Sequence, residues 1–226
     1  MKVVYEDNHL LIVSKAVGEI VQGDKTGDEP LVDTLKRYLK VKYNKPGNVF
    51  LGLTHRLDRP VAGLVIFAKT SKALSRVNKM IKDGKLEKTY RAIVEKLPPK
   101  PSDTLTDFLL KNEKQNKSYV VQPGSKKAKE AKLSYRLLAK GRNYHLLEVD
   151  LHTGRHHQIR CQLANMGCII KGDLKYGAKR SNKDGGISLL AYKLRFEHPV
   201  THEILTVYAD LEGVDPLFGE LSQGID

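Results

Sequence analysis

Val3-Val4-Tyr5-Glu6-Asp7-Asn8-His9-Leu10-Leu11-Ile12-Val13 opens the chain with two short apolar, β-branched runs on either side of Glu6-Asp7-Asn8. That spacing predicts two strands joined by a tight turn, and so an antiparallel pair, because parallel neighbours need a crossover of a dozen residues or more. Further strand signals follow. Gly63 to Lys69 is apolar enough for a buried strand, and Lys88 to Val94 is another, closed by the breaker cluster Pro98-Pro99-Lys100-Pro101. Leu105 to Leu110 reads as a short strand, Leu133 to Leu138 as an alternating one and Tyr144 to Leu151 as the longest; Ile187 to Tyr192, Leu194 to Phe196 and Ile204 to Ala209 complete the set. The basic run Lys126 to Lys132 reads as a solvated loop or frayed edge, or as a phosphate contact.

Helical signals are fewer. Asp28-Glu29-Pro30 precedes Leu31, Leu35, Tyr38 and Leu39, an acidic start with an apolar stripe. Ser71 is the expected cap of a second helix that places Ala73, Leu74, Val77, Met80 and Ile81 on one face. Thr153-Gly154 introduces a helix from Arg155 to Met166, stopped by Gly167, and a short helix follows Asp215-Pro216. Strands in neighbouring pairs with few helices predict an α+β fold, a mixed and largely antiparallel central sheet with flanking helices. Neither a repeat nor a linker divides the chain, so residues 1–226 are expected to form a single catalytic-type domain.

The 226 residues are 40% hydrophobic, sufficient for a substantial core. Lys plus Arg number 39 against 26 Asp plus Glu, a net charge of +13 that points to a polyanionic partner, nucleic acid first among them. No apolar run approaches the ~20 residues that span a bilayer, and no signal-peptide pattern opens the chain. A cytoplasmic location, no membrane contact and no obligate protein partner are therefore expected. Cys161 and Cys168 lie outside any Cys-x-x-Cys pattern and read as reduced, buried residues.

The chemistry concentrates around Thr54-His55-Arg56-Leu57-Asp58-Arg59-Pro60, where one acid stands between two arginines ahead of an apolar run. Nearby guanidinium groups favour an ionised carboxylate, so Asp58 is a candidate nucleophile, although structural ion pairs share this pattern. Phosphate-binding loops, dinucleotide fingerprints and the Gly-x-Ser-x-Gly elbow are absent. His152, His156 and His157 suggest a metal site, but no Glu stands between them as in His-Glu-x-x-His, and Arg155 and Arg160 add positive charge; no metal is expected. Thr153-Gly154-Arg155 instead reads as an anion site, with free N–H groups at a helix start and Arg155 on a phosphate. Arg160, flanked by Ile159 and Leu163, is expected to point inward and to need a carboxylate, for which Asp58 or some other acid is available. Tyr90, between Lys88 and Arg91, either stacks on a base or belongs to the core.

Together these segments resemble the RluA-type family of RNA pseudouridine synthases. The resemblance runs through Tyr5-Glu6-Asp7-Asn8 with Leu11-Ile12-Val13-Ser14-Lys15, His55-Arg56-Leu57-Asp58, Lys88-Thr89-Tyr90-Arg91-Ala92, Thr153 to Arg160, Gly172-Asp173-Leu174-Lys175-Tyr176-Gly177 and Leu194 to Pro199. It implies a pseudouridine synthase-type catalytic domain that isomerises uridines in ribosomal or transfer RNA without a cofactor. Asp58 would be the nucleophile, Tyr90 would stack on the base and is a candidate for removing its proton, Arg160 would pair with Asp58, and Arg56 would help displace the flipped nucleotide. The chain departs from the family at Ala62, where serine is usual, at Ala16-Val17-Gly18, at His156 in place of threonine, and at Leu190, where histidine is frequent. The resemblance begins almost at Met1, so the small N-terminal RNA-binding domain of many relatives is expected to be missing and RNA affinity to come from the basic catalytic domain.

Overall fold

The opening hairpin is built as its sequence suggests: Lys2–Glu6 (β1) and Leu10–Lys15 (β2) pair antiparallel in the computed structural model, which describes residues 2–24 and 26–224. One oxygen of Asp7 accepts from the N–H groups of His9 and Leu10 at 2.7 and 2.6 Å, the turn chemistry that short acidic side chains supply. After the hairpin come α1 (Leu31–Lys42), β3 (Gly52–Leu53), β4 (Ala62–Ala68), α2 (Ser71–Lys82) and β5 (Glu87–Val94). The long strands β6 (Ser102–Asn112), β7 (Lys117–Val121), β8 (Lys129–Lys140) and β9 (His145–Leu151) follow. Next are α3 (Gln158–Asn165), a 3-10 turn at Leu174–Tyr176, β10 (Leu189–Glu197), β11 (Ile204–Tyr208) and α4 (Leu217–Ser222).

All the strands join one sheet in the order β1-β2-β4-β10-β5-β9-β8-β6-β7, with β3 added to β4 and β11 to β10. Among the described residues, only β4 with β10 pairs parallel. The uninterrupted apolar runs of β2 and β4 have a simple cause, which is that both faces of the sheet are covered there. Leu11, Val13, Val65 and Phe67 pack with Leu31, Leu35 and Leu39 of α1 and Ile159 and Leu163 of α3. Leu10, Ile12, Leu64 and Ile66 pack on the opposite face with Ala73 and Val77 of α2 and Phe218 of α4. Gly63 sits where β4 meets β10, at φ +119°, and a Cβ there would lie 2.4 Å from the carbonyl oxygen of Ala191. Only glycine permits that approach.

Several boundaries differ from expectation. The segment around Leu105 is an eleven-residue strand and β8 runs to twelve, so the seven-residue β9 is not the longest. Lys129 to Lys132 belong to β8 rather than a loop, with Ala131 buried between the exposed Glu130 and Lys132. β7 carries no clear strand signal in the sequence, since its polar flanks mask a short strand. The two predicted segments Ile187 to Tyr192 and Leu194 to Phe196 are one strand with a register shift between Ala191 and Lys193. The α2 cap is Thr70, whose hydroxyl accepts from the Ala73 N–H, not Ser71. α3 starts at Gln158, three residues later than expected, because His157 before it takes a left-handed conformation.

Candidate active site

The loop that carries Asp58 lies between β3 and β4 and is tied down at several points. The Thr54 hydroxyl donates to the Ile66 carbonyl at 2.8 Å, and His55 Nε2 accepts from the Ile66 N–H at 3.2 Å. Burial, helped by the charge of Lys88, pushes the His55 imidazole down to about 3, which keeps it the neutral acceptor this contact requires. Leu57 enters the core beside α1, and the Pro60 carbonyl accepts from the Ile187 N–H at 3.0 Å. Beneath the loop, the buried Lys15 ammonium donates to the carbonyls of Ala16, Glu19 and Arg59 at 2.9, 2.8 and 3.1 Å. Desolvation pushes Lys15 down to about 8, against the opposing charges of Glu19 and Asp58.

Asp58 therefore projects from a fixed backbone into a cleft of about 1340 Å³ whose walls include Arg56, Tyr90, Arg155, His157 and Arg160. Its Oδ2 accepts from Arg160 Nη1 at 3.0 Å, and its side chain remains 32% exposed. Arg160 is a buried residue of α3 and turns its other edge to Asp173, with Nε and Nη2 reaching the two carboxylate oxygens at 2.7 and 2.9 Å. Burial works against the guanidinium charge, but Asp173 and then Asp58 outweigh it and raise the pKa. Asp173 is held in turn by the segment after α3, where Glu95 N–H donates to Ile169, Lys171 N–H to Ile93 and Asp173 N–H to Ile170. β9 and β10 flank Tyr90 on β5, which pairs with Val149 and Ala191; Ala191 also pairs with Gly63, so β10 alone separates Tyr90 from the strand that follows Asp58. Burial and then Asp58 push its phenol upward, so the hydroxyl keeps its proton at neutral pH.

The structure thus brings Asp58, Tyr90 and Arg160 together from three distant segments. Neither arginine beside Asp58 in sequence is paired with it among the described residues. Arg59 turns away to Asp28 at 2.6 Å and Asp24 at 3.7 Å, and Arg56 is exposed on the cleft wall without an ion pair among the described residues. The guanidinium on Asp58 comes from α3, about a hundred residues later in the chain. Arg155 lies in the turn before the helix, its Nε donating to the Glu130 carbonyl at 2.7 Å. Its N–H is not free, because Gln158 Oε1 accepts it at 3.0 Å, so an anion would meet the Arg155 side chain rather than an open helix end.

The histidines are engaged with protein groups. His152 Nε2 meets the Ser134 hydroxyl at 2.8 Å, His156 spans Ser118 and Asn116, and His157 Nδ1 meets the Tyr176 hydroxyl at 3.1 Å. Among the described residues, no three potential metal ligands converge. Sequence reasoning gave no role to Asp173 or Lys15 and weighed His157 only as a metal ligand. For Asp173 a signal existed, since a buried arginine with one exposed carboxylate partner calls for a second acid.

Two solved structures share the fold: "Human RNA Pseudouridylate Synthase Domain Containing 4" at a TM-score of 0.80 and 21% identity, covering 98% of this chain and 92% of that one, and "Human RNA Pseudouridylate Synthase Domain Containing 1" at 0.71 and 21%, covering 97% and 85%. The architecture is that of an α+β pseudouridine synthase domain. A family model described as RNA pseudouridylate synthase matches residues 9–165. Ribosomal large subunit pseudouridine synthase D of Zymomonas mobilis is 29% identical over 211 residues, 89% of this chain and 66% of that protein. tRNA pseudouridine synthase C of Vibrio parahaemolyticus is 32% identical over 233 residues, 94% of this chain and 91% of that protein. The chain belongs to the RNA pseudouridylate synthase family, and its enzyme class is accordingly isomerase.

Proposed function

We propose that this protein converts uridines of ribosomal or transfer RNA to pseudouridine with Asp58 as the nucleophile, acting on a nucleotide flipped into the cleft. The observation that carries the reading is the half-satisfied carboxylate: Oδ2 is held by Arg160, whereas Oδ1 has no hydrogen bond among the described residues and faces a basic cleft. Attack by Asp58 forms a transient bond to the target nucleotide and lets the bond from ribose C1′ to N1 break, the base turn, and C1′ bond to carbon 5, with the bond to Asp58 broken again before the product leaves. The proton lost from carbon 5 and the one gained at N1 balance, so the product is an isomer and no redox partner enters.

Tyr90 serves as a stacking surface for the base. Tyr90, on the cleft wall, is also the candidate for removing the carbon 5 proton. Arg56, exposed on the wall, fills the space left by the flipped nucleotide and offsets an unstacking cost of a few kcal/mol. Arg155 contacts phosphate. The ribosomal and transfer RNA named in the relatives above set the substrate class, and the net charge of +13 fits either. The test is tritium release from RNA labelled at uridine carbon 5, taken from a strain lacking this gene and separated into ribosomal and transfer fractions. Release from one fraction is expected, unaffected by a chelator. Binding of both fractions with release from neither contradicts the proposal.

A further inference from the structure

We infer that His157 is a positioning residue which, together with Arg160, holds one oxygen of the Asp58 carboxylate and so aims the other at the substrate. The inference rests on the nucleophilic reading of Asp58. It starts from the backbone. His157 has φ 52° and ψ 28°, a left-handed conformation that is costly for a non-glycine residue, and its side chain makes no capping hydrogen bond to α3. Glycine would be easier here, so the backbone does not account for a histidine.

The side chain does. His157 Nε2 lies 3.4 Å from Asp58 Oδ2, the same oxygen that Arg160 Nη1 reaches at 3.0 Å. The ring is fixed on both sides, stacked on His156 with centroids 3.9 Å apart and edge-on to Tyr176 at 72°. His156 is itself held by the Ser118 hydroxyl at 2.9 Å and Asn116 Oδ1 at 3.1 Å.

The carboxylate beside Nε2 favours one tautomer. Were the proton on Nδ1, the lone pair of Nε2 would face the carboxylate. With the proton on Nε2, that N–H edge lies 3.4 Å from Oδ2, and Nδ1 accepts from the Tyr176 hydroxyl 3.1 Å away, which then gives up the Ser118 carbonyl it otherwise reaches at 3.2 Å. Tyr176 still accepts from the Ser118 N–H at 2.9 Å, and the Ser118 carbonyl keeps the Cys161 thiol as a donor at 3.2 Å, so no group is stranded. Burial first, then Arg160 and His156, push the His157 imidazole down to about 2. His157 is therefore a neutral donor, which orients the carboxylate without adding a second counter-charge that would blunt it.

His157→Gly separates this role from a structural one, because glycine relaxes the left-handed backbone while removing the donor. The experiment measures tritium release at varied RNA concentration, with thermal melting, for wild type, His157→Gly, His157→Gln and Asp58→Asn. His157→Gly is expected to melt within a few degrees of wild type, to lose about 10- to 100-fold in kcat and to change KM less than twofold. Glutamine, whose amide nitrogen has a reach similar to Nε2, is expected to recover most of kcat. Should the glycine variant not fold, His157→Asn carries the same test, since asparagine tolerates this conformation but is too short to reach Asp58. A wild-type kcat in the glycine or asparagine variant overturns the inference, as does glutamine no faster than glycine. If Asp58→Asn keeps the wild-type rate, the reading of Asp58 itself falls; if it is inactive while His157→Gly is unimpaired, only the role of His157 falls.

Discussion

Glu6 and Asp58 are both carboxylates surrounded by cations and tyrosines, and they differ in how many of their lone pairs are spent. Glu6 accepts four hydrogen bonds, from Tyr38 and Lys42 on one oxygen and from Tyr43 and Lys69 on the other, at 2.6 to 3.0 Å. Its side chain is 7% exposed, and the cluster fastens α1 to the edge of the opening hairpin. Burial alone would raise its pKa, but those donors overcome it and bring Glu6 down to about 2. Asp58 accepts one such bond, is 32% exposed and leaves Oδ1 open to the cleft. A saturated carboxylate is a clamp, whereas a carboxylate held by one oxygen and bare at the other can react. Charge near an acid does not separate these cases, and the count of committed donors does.

The largest change in stability is expected at the base of the Asp58 site. Asp173→Asn leaves the buried Arg160 without its bidentate partner, and removing one member of such a pair costs about 3–5 kcal/mol. For a chain of this size that lowers Tm by roughly 10 °C, and calorimetry checks it. Glu6→Gln comes next. The Glu6 carboxyl has a folded pKa of about 2 against an ordinary 4.5, so its contribution is complete above pH 4.5 and fades as pH falls toward 2. Urea unfolding at pH 5 should show the variant weaker by about 2–3 kcal/mol, and the two proteins should converge as the pH approaches 2. The smallest effect concerns the lysines. Lys42 and Lys69 are committed to Glu6, whereas Lys88 lines the cleft with no hydrogen bond or ion pair among the described residues, and burial lowers its pKa. Lys88→Met should reduce the slope of log affinity for RNA against log salt by about 0.7–0.9, the loss of one phosphate contact. Lys42→Met should leave that slope unchanged.

The fold was most legible where local chemistry and burial agree. The Asp7 turn, the doubly covered runs of β2 and β4, and the apolar stripe of α1 follow directly from residue type and spacing. Strand ends in the β6 to β8 region were not legible, because their solvent-facing residues are lysines and threonines that resemble a loop until the partner strand is known. Within the site, the inward turn of Arg160 could be read from its apolar neighbours and its need for a second acid from its burial, but not which acid, because Asp173 reaches it through backbone ties to the end of β5. The adjacency of Arg56, Asp58 and Arg59 suggested a charge cage that the backbone does not make. The left-handed His157 has no sequence signature at all, since that conformation ordinarily announces itself as glycine.

The central claim is that the open oxygen of Asp58 performs the reaction while the saturated Glu6 only holds the fold. It is tested most directly by measuring tritium release from carbon 5-labelled RNA by Asp58→Asn and Glu6→Gln beside wild type, at pH 7 and saturating RNA. The expected result is no release by Asp58→Asn, folded and bound to RNA, and release near the wild-type rate by Glu6→Gln. Release by Asp58→Asn at the wild-type rate would contradict the account.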